Sequence, residues 1–184
     1  MPAKKGLERL IEGNKRFVNH ESEHPNRNEE RRRAIASKQK PFAAIVGCSD
    51  SRVPLEIIFD EGLGDIFAVR VAGNVVGQIE LESIEFAAYI LKSSIILVLG
   101  HEKCGAVNAV FEDNDEDIAA IAKLIKPAVE NAGSSLEQAV KNNALNMRDY
   151  LRKSPKIAEL IQDEKIEVEA GYYHLKSGQV ELLK

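Results

Sequence analysis

The chain has 184 residues, 44% of them hydrophobic, with a net charge of −4, two cysteines and four histidines. That length suits a single domain, 1–184, with a sizeable core, and the lack of basic excess excludes nucleic acid and anionic membrane surfaces as main partners. Two widely separated cysteines argue against a secreted disulfide scaffold, no apolar run approaches the ~20 residues of a membrane span, and the basic start is followed by an amphipathic, charge-interrupted stretch and not by the apolar core of an export signal, so a cytoplasmic protein with free thiols is expected.

From Leu7 the apolar residues Leu7, Leu10, Ile11, Phe17 and Val18 recur at helical spacing, and the polar stretch from His20 to Asn28, with Pro25, reads as a loop. A second helix is predicted over 28–38, so that residues 1–40 form an N-terminal helical arm. Its mixed-sign cluster, Glu29 to Arg33, suits a solvated face or a subunit contact.

After Pro41 comes the apolar run Phe42-Ala43-Ala44-Ile45-Val46, ending near Cys48, and runs of the same character follow at 66–71 and 95–99. Leu81, Ile84, Ala88 and Leu91 mark a helix face between the last two. Continuous apolar strands alternating with helices predict an α/β fold with a mainly parallel central sheet flanked by helices, which binds ligands beyond the carboxyl ends of its strands. The acidic stretch 112–117 opens a helical region reaching about Asp163, within which Ser154-Pro155 reads as a helix start. The segments 166–175 and 180–183 around Ser177-Gly178 read as a C-terminal hairpin.

Chemistry concentrates in two segments that each follow an apolar run, Cys48-Ser49-Asp50-Ser51-Arg52 and His101-Glu102-Lys103-Cys104-Gly105. Two thiolates and an imidazole satisfy three of zinc's four tetrahedral positions, and what fills the fourth separates a catalytic site from a closed structural one. If the strands before Cys48 and His101 are neighbours, both segments meet in one crevice. Residues 101 and 104 can point at one centre, and a helix beginning near Cys104 favours a thiolate there.

Asp50 can be the fourth ligand or stand beside the metal, depending on Arg52. Paired with the guanidinium it stays ionised and can orient a metal-bound water; unpaired it can close the site. A structural zinc site, or a pair of oxidant-sensing thiols, therefore stays open as an alternative to an enzyme. His20, His24 and His174 have no partner pattern and are expected at the surface.

Together Cys48-Ser49-Asp50-Ser51-Arg52-Val53, Arg70-Val71-Ala72-Gly73-Asn74, Gly100-His101-Glu102-Lys103-Cys104-Gly105 and the segment 170–178 resemble the β-class carbonic anhydrases in order and spacing. The likeness runs from about Gln39 to Val110 and is loose from 112 to about 163. It implies zinc held by Cys48, His101 and Cys104, and an Asp50–Arg52 dyad that gates the fourth site between water and Asp50. It further implies reversible hydration of carbon dioxide to bicarbonate and a proton by zinc-bound hydroxide, with Gln39, Phe67 and Gly105 at the substrate. A homodimer or dimer-based tetramer, its N-terminal helices embracing the neighbour, is also implied; a zinc hydrolase of a related substrate such as carbon disulfide is the nearest competitor. Phe86 stands where many members have a tyrosine that lines the neighbouring subunit's pocket. Ile45 stands where the bicarbonate-inhibited subgroup has a tryptophan, which points to an open, water-ligated site.

Overall fold

The computed structural model describes residues 2–184. Five strands form one sheet: β1 (Ala43–Gly47), β2 (Ile66–Arg70), β3 (Ile95–His101), β4 (Glu167–Tyr173) and β5 (Val180–Leu183). Their order is β2-β1-β3-β4-β5, parallel except for the last pair, where the C-terminal hairpin turns β5 back antiparallel. Among the described residues eight α-helices surround the sheet: α1 (Ala3–Val18), α2 (Glu29–Ile35), α3 (Leu55–Ile58), α4 (Gln78–Glu85), α5 (Gly105–Phe111), α6 (Ala119–Glu130), α7 (Leu136–Arg152) and α8 (Pro155–Gln162).

Every residue of β1 and β3 is buried, as expected for parallel strands covered on both faces. Side-chain alternation divides them between two cores. Ala44, Val46, Ile96 and Val98 face α4 to α8, whereas Ala43, Ile45, Leu97 and Leu99 face Leu10 of α1 and Leu55, Ile58 and Phe59 at α3. The run at 66–71 behaves differently, because β2 is the sheet's edge and alternates between buried and exposed positions, with Ala68 and Arg70 open to solvent.

The predicted arm is in part integral to this domain. Leu10 is fully buried, and a Cβ at Gly13 would lie 1.9 Å from the Phe59 carbonyl oxygen, so only glycine lets α1 approach that closely. The buried Asn14 amide donates to the carbonyls of Ile58 (3.1 Å) and Gly178 (2.8 Å), and its oxygen accepts from the Val180 N–H (2.8 Å). One side chain thus ties α1 to α3 and the hairpin. By contrast α2 buries no residue; Asn28 caps it by accepting from the Arg31 N–H.

The helix at 81–91 begins earlier than its apolar face and ends in a π turn, Phe86–Ile90, closed by the Leu91 N–H on the Phe86 carbonyl. The wider turn leaves Phe86, Tyr89 and Ile90 facing outward. Pro155 occupies the first turn of α8, as the Ser-Pro pair predicts, yet the Ser154 hydroxyl does not cap it. It donates instead to Glu85 (2.7 Å), where Lys156 also pairs (2.6 Å).

Candidate metal centre

Strand register brings the two chemical segments together. Gly47 of β1 lies beside Leu99 of β3, so Cys48, the next residue, leaves the sheet next to the end of β3, where His101 is the last strand residue. The chain then turns through Lys103, held at φ 53°, so that Cys104 stands immediately before α5. As a result Cys48 Sγ, His101 and Cys104 Sγ offer ligand atoms all within 4.8 Å of one another, and all three residues are buried.

The donor set fits a tetrahedral zinc ion. The two sulfurs are 4.0 Å apart, close to the roughly 3.8 Å that tetrahedral angles give at a zinc–sulfur bond near 2.3 Å, and far beyond a disulfide bond. His101 Nδ1 lies 2.9 Å from the Glu102 carbonyl, which can only accept, so Nδ1 carries the proton and Nε2 keeps its lone pair. That Nε2 is fully buried and has no hydrogen-bond partner. An orphaned lone pair beside two thiols is the condition a metal ligand meets and an ordinary core histidine does not. Soft sulfur with imidazole suits zinc rather than magnesium or calcium.

The two thiols share one hydrogen bond, which shifts their proton affinities in opposite directions. The Cys104 hydrogen bond, opposed by burial and aided by the backbone N–H groups of Asp50 and Gly73, pulls the Cys48 thiol far down. The same hydrogen bond, burial and the Cys48 charge push the Cys104 thiol up. A divalent cation bound here would be held by both sulfurs as thiolates, with loss of the shared proton.

Asp50 stands beside the cluster and not within it. Arg52 Nε donates to Oδ1 (3.0 Å) and Nη2 to Oδ2 (2.7 Å), while the Arg52 backbone N–H donates to Oδ1 (2.9 Å). Oδ2 also lies 3.8 Å from His101 Nε2. The Arg52 hydrogen bonds outweigh partial burial and hold this carboxyl well below the usual carboxylate range.

Other predicted residues divide. Gly105 opens α5 beside Cys104, and a Cβ there would meet nothing within 4 Å. Gln39 and Phe67 do not reach the cluster within one chain. Gln39 is exposed, two residues before Pro41, whose carbonyl accepts from Ser93 at the amino end of the sheet, whereas Cys48 follows the carboxyl end of β1. Phe67 sits beside Ala44 near the start of β2, its ring 6.4 Å from that of Phe86. Ile45 is fully buried against α1 and α3, and Phe86 is half-exposed. His20 and His24 are exposed as expected, whereas His174 is half-buried, edge-on to Tyr172 and paired with Glu181.

Arg70 is the contributor that residue types alone did not single out. Its Nε donates to the Cys48 carbonyl (3.0 Å) and its Nη2 to the Asp50 carbonyl (2.7 Å), pinning the segment that carries ligand and carboxylate. The only signal for it was its place in Arg70–Asn74.

Comparisons with known proteins agree with this geometry. The family model described as carbonic anhydrase matches residues 43–180. A carbonic anhydrase of Mycolicibacterium smegmatis is 38% identical over 94% of this chain and 89% of its own length. Among solved structures the β-carbonic anhydrase CcaA superposes with a TM-score of 0.77 at 25% identity, covering 97% of this chain and 87% of that one. One of two tetrameric β-carbonic anhydrases from Sordaria macrospora shares the fold with a TM-score of 0.71 at 23% identity, over 96% of both chains. The family match across both ligand segments, a relative aligned along nearly the whole chain and a common sheet architecture lead to one conclusion: the chain belongs to the β-class carbonic anhydrase family.

Proposed function

We propose that the chain binds one zinc ion through Cys48 Sγ, His101 Nε2 and Cys104 Sγ and catalyses the reversible hydration of carbon dioxide, with Asp50 and Arg52 as the working pair beside the metal. The orphaned Nε2 of His101, in a cluster with two buried thiols, is the observation that carries the metal assignment. When bound, zinc lowers the pKa of a coordinated water and so supplies a nucleophile near neutral pH; carbonic anhydrase of another ligand type is the standard case of that effect.

The chain's own residues supply position. Arg52 grips both oxygens of Asp50, so the carboxylate remains acceptor-only and cannot swing freely into the ligand cluster. Its Oδ2, near His101 Nε2, is placed to accept a hydrogen bond from a water at the cluster and to orient that water for attack. A permanently closed structural site would need Asp50 turned away from Arg52, and the bidentate pair supports the open reading. Arg70 keeps the Asp50 segment from shifting, and the uncrowded face of Gly105 leaves room for substrate against the start of α5.

Gln39 and Phe67 lie toward the amino ends of the strands and the cluster at their carboxyl ends, so a substrate role for them calls for a second copy. Exposed Ile79 (77%), Ile90 (59%), Phe86 and Tyr89 form an apolar surface that a neighbouring copy would cover. A homodimer, or a tetramer of the kind named for the Sordaria macrospora relative, fits this surface. Two unpaired buried cysteines suit a reducing cytoplasm, and among the described residues no helix is long and apolar enough to cross a membrane.

Stopped-flow carbon dioxide hydration on zinc-quantified protein tests the reading. Turnover proportional to bound zinc is expected; rates indifferent to zinc content refute it.

A further inference from the structure

Among the described residues, every buried side-chain nitrogen or oxygen without a partner belongs to His101, Asn74 or Asn143. Asn74 follows Gly73, and Asn143 lies on α7, outside the segments that hold the ligands. Asn143 is fully buried, and its amide donates to the Gly73 carbonyl at 2.8 Å. Gly73 in turn donates its N–H to Cys48 Sγ at 3.3 Å. Four residues along α7, the sulfur of Met147 accepts the Val76 N–H at 3.1 Å. Successive turns of one helix thus hold both ends of the segment that leans on the ligand sulfur.

The Gly73 conformation needs such a hold. Its φ is +72°, and a Cβ there would come within 2.9 Å of Ile125 Cδ1 and 3.2 Å of Ala106 Cβ, so the turn is reserved for glycine, whose own backbone preference does not fix it. An N–H donated to a metal-bound sulfur fixes the direction of that sulfur and draws charge from it, as outer partners of metal ligands do. We propose that Asn143 is a positioning residue of the metal centre, which by holding the Gly73 carbonyl keeps the Gly73 N–H aimed at Cys48 Sγ and so sets zinc affinity and the sulfur's bonding to the metal. The proposal rests on the zinc reading above.

The test uses the full chain. Zinc affinity is measured by competition with a chromophoric chelator, and the sulfur-to-metal absorption band is recorded after cobalt(II) substitution, for the wild type, Asn143→Leu and Asn143→Ala. Leucine nearly conserves volume and removes the donor. The zinc dissociation constant is expected to rise about 10- to 100-fold in both variants, with the cobalt band displaced. Wild-type values in Asn143→Leu, or loss in the alanine variant alone, would reduce Asn143 to packing and overturn the proposal. Failure of the wild type to bind zinc would sink the zinc reading itself, a separate result. If neither variant folds, hydrogen exchange in the wild type decides. The Gly73 N–H and the Asn143 amide should become protected together on zinc loading, and protection independent of zinc would overturn the proposal.

Discussion

Asp50 and Arg52 are joined by two parallel side-chain hydrogen bonds and a third from the Arg52 backbone, at 2.7 to 3.0 Å, while the same carboxylate stands 3.8 Å from His101 Nε2. The carboxylate is gripped by Arg52 on one side and faces the Cys48–His101–Cys104 cluster on the other. Arg52→Ala should therefore retain zinc and lose carbon dioxide hydration by roughly 10²-fold, the scale of a misplaced positioning group. Arg52→Lys, which cannot form the bidentate pair, should recover only part of that loss. Metal content and stopped-flow rates measured on the same preparations check both.

The apolar surface on α4 and its π turn predicts assembly. Ile79→Asp places a charge on the most exposed large hydrophobic side chain among the described residues, more than 20 positions in sequence from Cys48, His101 and Cys104. Sedimentation velocity should show a shift toward monomer. If Gln39 and Phe67 serve a neighbour's site, hydration should fall in step with dissociation.

Asn14 predicts a stability effect with no direct catalytic component. It makes three buried hydrogen bonds between α1, α3 and the hairpin, and Asn14→Ala leaves two carbonyls and one N–H without their partner. A loss of about 2–4 kcal/mol is expected by denaturant unfolding, with zinc content unchanged in the folded fraction.

Glu85 gives a pH-dependent contribution. Its burial raises the carboxyl's pKa, but hydrogen bonds from Lys156 and Ser154 outweigh burial, so the net shift is downward. A depressed folded-state value contributes stability that is present above the ordinary carboxylate pKa of about 4.3 and lost as pH falls through the folded value. Glu85→Gln should lower the melting temperature by about 2–4 °C at neutral pH. The gap between wild type and variant should close in acid below that range. A constant gap across pH would show that the charge is not the source.

Much of this arrangement was legible because it depends on local pattern. Continuous apolar runs marked β1 and β3, Ser154-Pro155 marked the start of α8, and the two ligand segments stood at strand ends where an α/β sheet places its chemistry. Other features depend on neighbours that periodicity does not encode. The run at 66–71 resembles the central strands in composition, yet edge position exposes Ala68 and Arg70. The packing of α1 turns on Gly13 and Asn14, residues that hydrophobic spacing ignores. Arg70 and Asn143 reach the site through backbone carbonyls, so neither resembles a ligand in the sequence, and the separation of Gln39 from Cys48 emerges only once β1 lies between them.

The most direct measurement of the central claim is carbon dioxide hydration followed by stopped flow as zinc is removed with a chelator and restored, alongside Cys48→Ala. One zinc per chain, activity lost and regained with the metal, and a Cys48→Ala protein lacking both are expected. Undiminished hydration by zinc-free protein, or by Cys48→Ala, would contradict the account.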